Sequence, residues 1–132
     1  MRRRERGQST VELVVALPTL LLVLLVVLQS ALYVHALQVV RAVAQEAARA
    51  AAADGASLAD GQSRARALLQ AGLGQSGQLL NVRLSEDAQG VQAAVSGSMG
   101  LLTEGPVQAF GLPIQASARA TREVFVPSGG GT

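Results

Sequence analysis

The sequence predicts an α+β fold. A long N-terminal helix, transmembrane in its first half and kinked at Pro18, precedes a short helix and a small antiparallel sheet of about three strands. Three observations predict it. No Asp, Glu, Lys or Arg stands between Glu12 and Arg41, and the interval is rich in Leu and Val. Gln38 to Asp54 is Ala-rich, with apolar residues at helical spacing. From Leu79 the apolar period changes from helical to two.

Length and composition bound the rest. The chain has 132 residues, enough for one membrane helix and one small folded part. It has one Tyr, two Phe and no Trp, so its core must be built from small side chains that bury little area each. It has no cysteine, which removes disulfides, thiol chemistry and Cys-based metal sites. The net charge of +2 hides an asymmetry. Arg2, Arg3, Arg4 and Arg6 with Glu5 make the first seven residues basic, and the remainder is slightly acidic. Arginine clusters also bind nucleic acid, but a cluster abutting an apolar span fits the positive-inside rule, and no nucleic-acid partner is expected.

Residues 1–7 read as a basic leader. The helix is expected over 8–54, with the span at about Leu13 to Leu37, long enough at 1.5 Å per residue to cross a bilayer. Pro18 lies inside the span and removes one backbone donor. Glu12 stands at the edge of the apolar run. A carboxylate there costs less than the about 2.5–3.5 kcal/mol of a charge at the helix centre. It is either a plain flanking acid or a functional one.

The context of Glu12 points to function. Gly7 precedes it by five positions, basic residues precede Gly7, and the apolar run follows. This arrangement resembles the type IV prepilin class, whose processing motif is Gly, four variable residues, then Glu at the head of a hydrophobic helix. More narrowly, Arg6 to Pro18 (RGQSTVELVVALP) resembles the opening of TadE-like pseudopilins of the tight-adherence pilus type. The resemblance continues loosely to Gly55 and weakly at SARATREVF. It implies cleavage between Gly7 and Gln8 by a prepilin peptidase, and an assembly role for Glu12. The implied partners are the peptidase, other pilin or pseudopilin subunits, an inner-membrane assembly platform and membrane lipid. The implied location is the bacterial cytoplasmic membrane, single-pass, with the N-terminus cytoplasmic and the rest extracytoplasmic. A secretory signal peptide is the competing expectation, with Val34-His35-Ala36 as a loose cleavage site, but the uncharged run is too long and opens on a carboxylate.

The second half of the helix carries Val39, Val40, Val43, Ala47 and Ala50 as a stripe, with Arg41, Gln45 and Arg49 on another face. The stripe serves either a partner helix or the chain's own folded part. Gly55 is expected to end the helix. A small α+β domain is expected over 55–127. In it, Ser57 with Asp60 predicts a capping box for a helix over 57–73, which Gly72 and Gly74 end; Gly61 weakens its first turn. Leu80, Val82 and Leu84, then Val91, Ala93 and Val95, predict a hairpin turning at Glu86 to Gly90. Gly100 to Pro113 reads as irregular, with a short helical turn after Pro106. Ile114, Ala116, Ala118 and Ala120 predict a third strand running toward Val126, and 128–132 a flexible tail.

No catalytic residue, metal site or cofactor is expected, and no small-molecule substrate. The only histidine, His35, sits in the apolar run with no partner acid near it in sequence, and Glu86-Asp87 reads as a solvated pair. No glycine cluster matches a phosphate-binding pattern. The chain reads as a substrate of processing rather than an enzyme. Two functions follow: a minor pseudopilin or assembly protein cut after Gly7, or a single-pass anchored extracytoplasmic binding protein whose leader stays.

Overall fold

The computed structural model describes residues 3–100 and 111–122. The element order is α1 (Arg3–Ala52), α2 (Leu58–Leu73), a 3-10 helix (Gly74–Leu79), then strands β1 (Asn81–Asp87), β2 (Gly90–Gly100) and β3 (Gly111–Ala120). The α+β expectation holds. The chain divides into two units, Met1–Val34 and His35–Thr132.

The first unit is the opening of α1. Among the described residues α1 is helical from Arg3 onward, through the segment expected as a basic leader, and it continues unbroken as α-helix through Pro18. Hydrophobic side chains from Val11 to Leu28 are exposed on every face, from 68% at Leu13 to 47% at Leu25. A helix whose apolar side chains are exposed on all sides among the described residues is suited to lipid, not water. Its two internal hydroxyls fit that setting. The Thr19 hydroxyl donates to the Val15 carbonyl at 2.9 Å, and the Ser30 hydroxyl to the Val26 carbonyl at 2.8 Å. Polar groups in hydrocarbon must be satisfied within the segment, and both are.

In the second unit the last four turns of α1 form one side of the core. Ala36, Val40, Val43, Ala44, Ala47, Ala48, Ala51 and Ala52 are buried, at steps of one, three and four. Of the expected stripe, Val40, Val43 and Ala47 are buried, while Val39 and Ala50 lie at its margin. The centre falls instead on Ala44, Ala48 and Ala51. In an alanine run every face has the same small apolar side chain, so the sequence pattern cannot mark the buried one. Ala51 and Ala52 pack with Val91 of the sheet, joined by Leu58, Leu84 and Ala120. The end of α1 is therefore a seat for the chain's own sheet. Arg41, Gln45 and Arg49 are exposed on another face, as their spacing predicts.

The sheet is antiparallel in the order β1-β2-β3. Its register stacks Val82 beside Val95 and Ala116, and Leu84 beside Ala93 and Ala118. These residues make the inward face; Arg83, Gln92, Gln115 and Arg119 alternate outward. The strands differ from expectation at one end. Gly97 to Gly100 pairs with Gly111 to Ile114, so β2 and β3 run into the stretch read as irregular. Gly-Ser-Met-Gly has no apolar alternation to announce a strand, and Pro113 is tolerated because β3 is an edge strand. The helical turn expected after Pro106, the extension toward Val126 and the tail lie outside the described residues. The helix α1 ends at Ala52, two residues early, and Gly55 turns the chain at φ +72.

The capping box of α2 forms as predicted. The Asp60 N–H donates to the Ser57 hydroxyl at 3.3 Å, and the Ser57 N–H donates to the Asp60 carboxylate at 2.7 Å. Gly61 is not a weakness but a requirement. It is buried where α2 crosses α1, and a Cβ there would stand 2.7 Å from the Ala47 carbonyl oxygen and 2.7 Å from the Ala51 Cβ. Neither neighbour can swing away as a side-chain tip could.

Two predictions follow from this packing. Gly61→Ala raises helix propensity by about 1 kcal/mol, yet overpacking of this kind costs typically 1–3 kcal/mol, so the variant should lose stability. Denaturant unfolding of the full chain in detergent measures it, and a stabilised variant would mean the helices separate freely. The cap gives an acid dependence. Hydrogen bonds from the Ser57 hydroxyl and then its N–H hold the Asp60 carboxyl below its ordinary value. A depressed folded-state pKa contributes stability above the unfolded value, lost as pH falls through the folded one. The melting difference between the parent chain and Ser57→Ala should therefore be full at neutral pH and shrink below about pH 4.

Candidate functional site

The candidate site is the head of α1. Gly7, Gln8, Glu12 and Pro18 all lie on this one helix. Gly7 and Glu12 are five residues apart, about 7.5 Å along the axis and about 140° around it, so the helix does not bring them together. Gln8 and Glu12 are four apart and share a face, one turn from each other. Glu12 is exposed, at the first turn of the apolar run. A helix N-terminus carries partial positive charge, which favours an acid near that end. The arrangement offers one carboxylate at a hydrophobic boundary and one glycine upstream in a basic segment. Among the described residues of this head no nucleophile stands paired with a base.

Elsewhere the described residues offer less. His35 is exposed. No group of three or more His, Asp or Glu among the described residues could hold a metal ion. A shallow groove between α1 and α2 is lined by Val39, Gln45, Arg49, Arg64 and Leu68 among others, and the Arg64–Glu46 ion pair bridges it at 3.5 Å. Arg64 and Glu46 neutralise each other, Arg49 leaves the lining with one positive charge in excess, and no nucleophile lines it.

Glu86 and Asp87 differ from expectation: they are exposed, but each is held by an arginine. Arg122 pairs with Glu86 at 2.6 Å, and Arg119 pairs with Asp87 while donating to the Gln89 side-chain oxygen at 3.0 Å. The β1–β2 turn is thus tied to the end of β3, across β2. Sequence reading missed this because the partners are more than thirty positions apart, and only the register reveals them. The pairs are surface contacts, worth about 0–1 kcal/mol each.

An all-apolar helix of this length, opening on a basic segment and leading into a small α+β unit, defines a membrane-anchored single-pass class of protein. Residues 7–49, about a third of the chain, match the family described as TadE-like protein. Over that segment the chain is similar to the TadE-like family, whose members relate to pilus assembly, and the matched stretch begins at Gly7. No curated protein and no solved structure matches the chain.

Proposed function

We propose that the chain is a minor pseudopilin or pilus-assembly protein of a tight-adherence, type IV-like system, processed by a prepilin peptidase between Gly7 and Gln8. The observation that carries this is the placement of Gly7 and Glu12. They stand five apart, between a basic leader and an apolar helix, inside the matched family segment. Glycine suits a scissile position, because without a Cβ it lets catalytic groups approach the backbone and adopts whatever conformation they need. Cleavage creates an α-amino group on Gln8, one turn from Glu12. With subunits packed at a longitudinal offset, Glu12 of one meets the Gln8 amine of the next. In low-dielectric surroundings that pairing offsets part of the cost of both charges. Pro18 kinks the helix beyond this point. The partners are the peptidase, other pilin-like subunits, the inner-membrane assembly platform and lipid, at the bacterial cytoplasmic membrane.

A second reading has one observation in its favour. The helix α1 passes through Gly7 without a break, as it would in a single-pass anchored binding protein that keeps its leader. Orientation is common to both. The arginines before the span should hold the N-terminus in the cytoplasm, so reporter fusions after Gly55 should report an extracytoplasmic location, and a cytoplasmic signal would overturn both.

Processing separates them. Mass spectrometry of the chain extracted from membranes containing the peptidase should show a mature form starting at Gln8, with Gly7→Val leaving the leader attached. A chain still starting at Met1, or starting near Leu37, would refute the pilin-like reading. Glu12→Gln keeps the shape and loses the charge. It should be processed normally yet co-purify with other pilus subunits roughly tenfold less, since a charge-assisted bond is worth about 1.5–3 kcal/mol.

A further inference from the structure

The unbroken start of α1 sets a condition on the cleavage proposed above, and the inference here rests on that proposal. Hydrolysis adds water across the Gly7–Gln8 amide. The C–N bond breaks, hydroxyl goes to the Gly7 carbonyl carbon and the proton to the Gln8 nitrogen. A nucleophile must reach that carbon. In α1 the bond lies inside the helical ladder, which commits the Gln8 N–H to the Arg4 carbonyl and the Gly7 carbonyl to the Val11 N–H. Both halves of the amide are engaged and the backbone is coiled. The helix has to start later than Arg3 before the bond can be cut.

The sequence contains a second start. Ser9-Thr10-Val11-Glu12 has the Ser-x-x-Glu form of a capping box. In a helix that begins just after Ser9, the Ser9 hydroxyl accepts the Glu12 N–H and the Glu12 carboxylate accepts the Ser9 N–H. In α1 Ser9 lies beyond the first turn of the helix, where its N–H belongs to the ladder, so it does not act as a cap. The same reciprocal chemistry is in place elsewhere in this chain, between Ser57 and Asp60 at the head of α2. The residues around the bond favour uncoiling. Gly7 is a poor helix former, and Ser9 and Thr10 compete for backbone bonds.

We propose that α1 has two start positions, one upstream of Gly7 and one at Ser9. The Ser9–Glu12 capping box stabilises the later start, in which the Gly7–Gln8 bond is uncoiled and open to the peptidase. Glu12 then acts twice, first as a cap that presents the bond and later in assembly. A carboxylate has two oxygens, so capping Ser9 leaves one for the Gln8 amine.

The test uses the full-length chain in detergent or membranes, with and without prepilin peptidase. Cleavage rates are read by mass spectrometry, and backbone amide exchange at Gln8, whose N–H only the later start frees, is read without the enzyme. Ser9→Ala loses the cap and should slow both cleavage and exchange about fivefold, the equivalent of about 1 kcal/mol. Ser9→Thr keeps the box and should stay within about twofold of the parent. Upstream, Glu5→Gly should be cut up to about fivefold faster than Glu5→Ala, which carries the same charge change. Equal exchange in the parent and Ser9→Ala overturns the two starts, even if cleavage slows, because the peptidase would then be reading Ser9 directly. A parent chain that active peptidase leaves uncut overturns the processing proposal instead, while the exchange comparison still decides whether the second start exists.

Discussion

One constraint governs the first unit: among the described residues the large hydrophobic side chains of its helix are exposed. Side chains from Val11 to Leu28 are about half exposed or more on all sides. At roughly 25 cal/mol per Å² of apolar surface, water is a very poor solvent for such a surface. Lipid removes the problem without any protein contact, and it demands that backbone and hydroxyl groups be satisfied within the helix. Thr19 and Ser30 meet that demand by bonding back to Val15 and Val26. The same demand explains why charges are excluded until Arg41.

The second unit answers a different constraint, the scarcity of large side chains. Its buried set is Ala, Val and a few Leu and Ile, with no buried polar or charged residue among those described. Small side chains bury little area each, so the elements must come close to gain from packing at all. The close approach is visible at Gly61, where only a hydrogen fits between α2 and the Ala47–Ala51 edge of α1. Closeness of this kind makes the core depend on shape more than on bulk. One added methyl at Gly61 matters more than its transfer energy suggests, because beside the movable Leu84 tip it meets the Ala47 carbonyl oxygen and the Ala51 Cβ.

Much of this was legible in the sequence, and the limits have physical causes. Period and punctuation fixed the elements: the capping box at Ser57, the hairpin of Leu80–Leu84 with Val91–Val95, and the third strand at Ile114–Ala120. They failed where side chains carry no contrast. The alanine run 47–53 could not show its buried face, and Gly97–Gly100 could not show that it was strand. Gly61 read as a flaw because propensity is local, whereas its reason is a crossing helix. Arg119 with Asp87 and Arg122 with Glu86 were invisible because register joins residues that sequence separates. At the head of α1 the motif was legible, but its conformation was not. That the helix includes the leader emerges only from the fold.

That last point changes how the five-residue spacing of Gly7 and Glu12 is understood. In a continuous helix the two residues face away from each other, so no contact between them selects the interval. A helix that starts at Ser9 gives the spacing a reason. Glu12 is then the third residue of the first turn, where a carboxylate reaches back to the N-cap N–H and meets the positive end of the helix dipole. Gly7 is two residues outside that start, in chain free of the ladder. The carboxylate and the glycine are thus related through a helix boundary lying between them. A carboxylate that fixes where the helix begins also fixes which peptide bond lies just outside it. In the proposed two-start helix, the residue placed to pair with the new amine is also the one that decides where the amine is made.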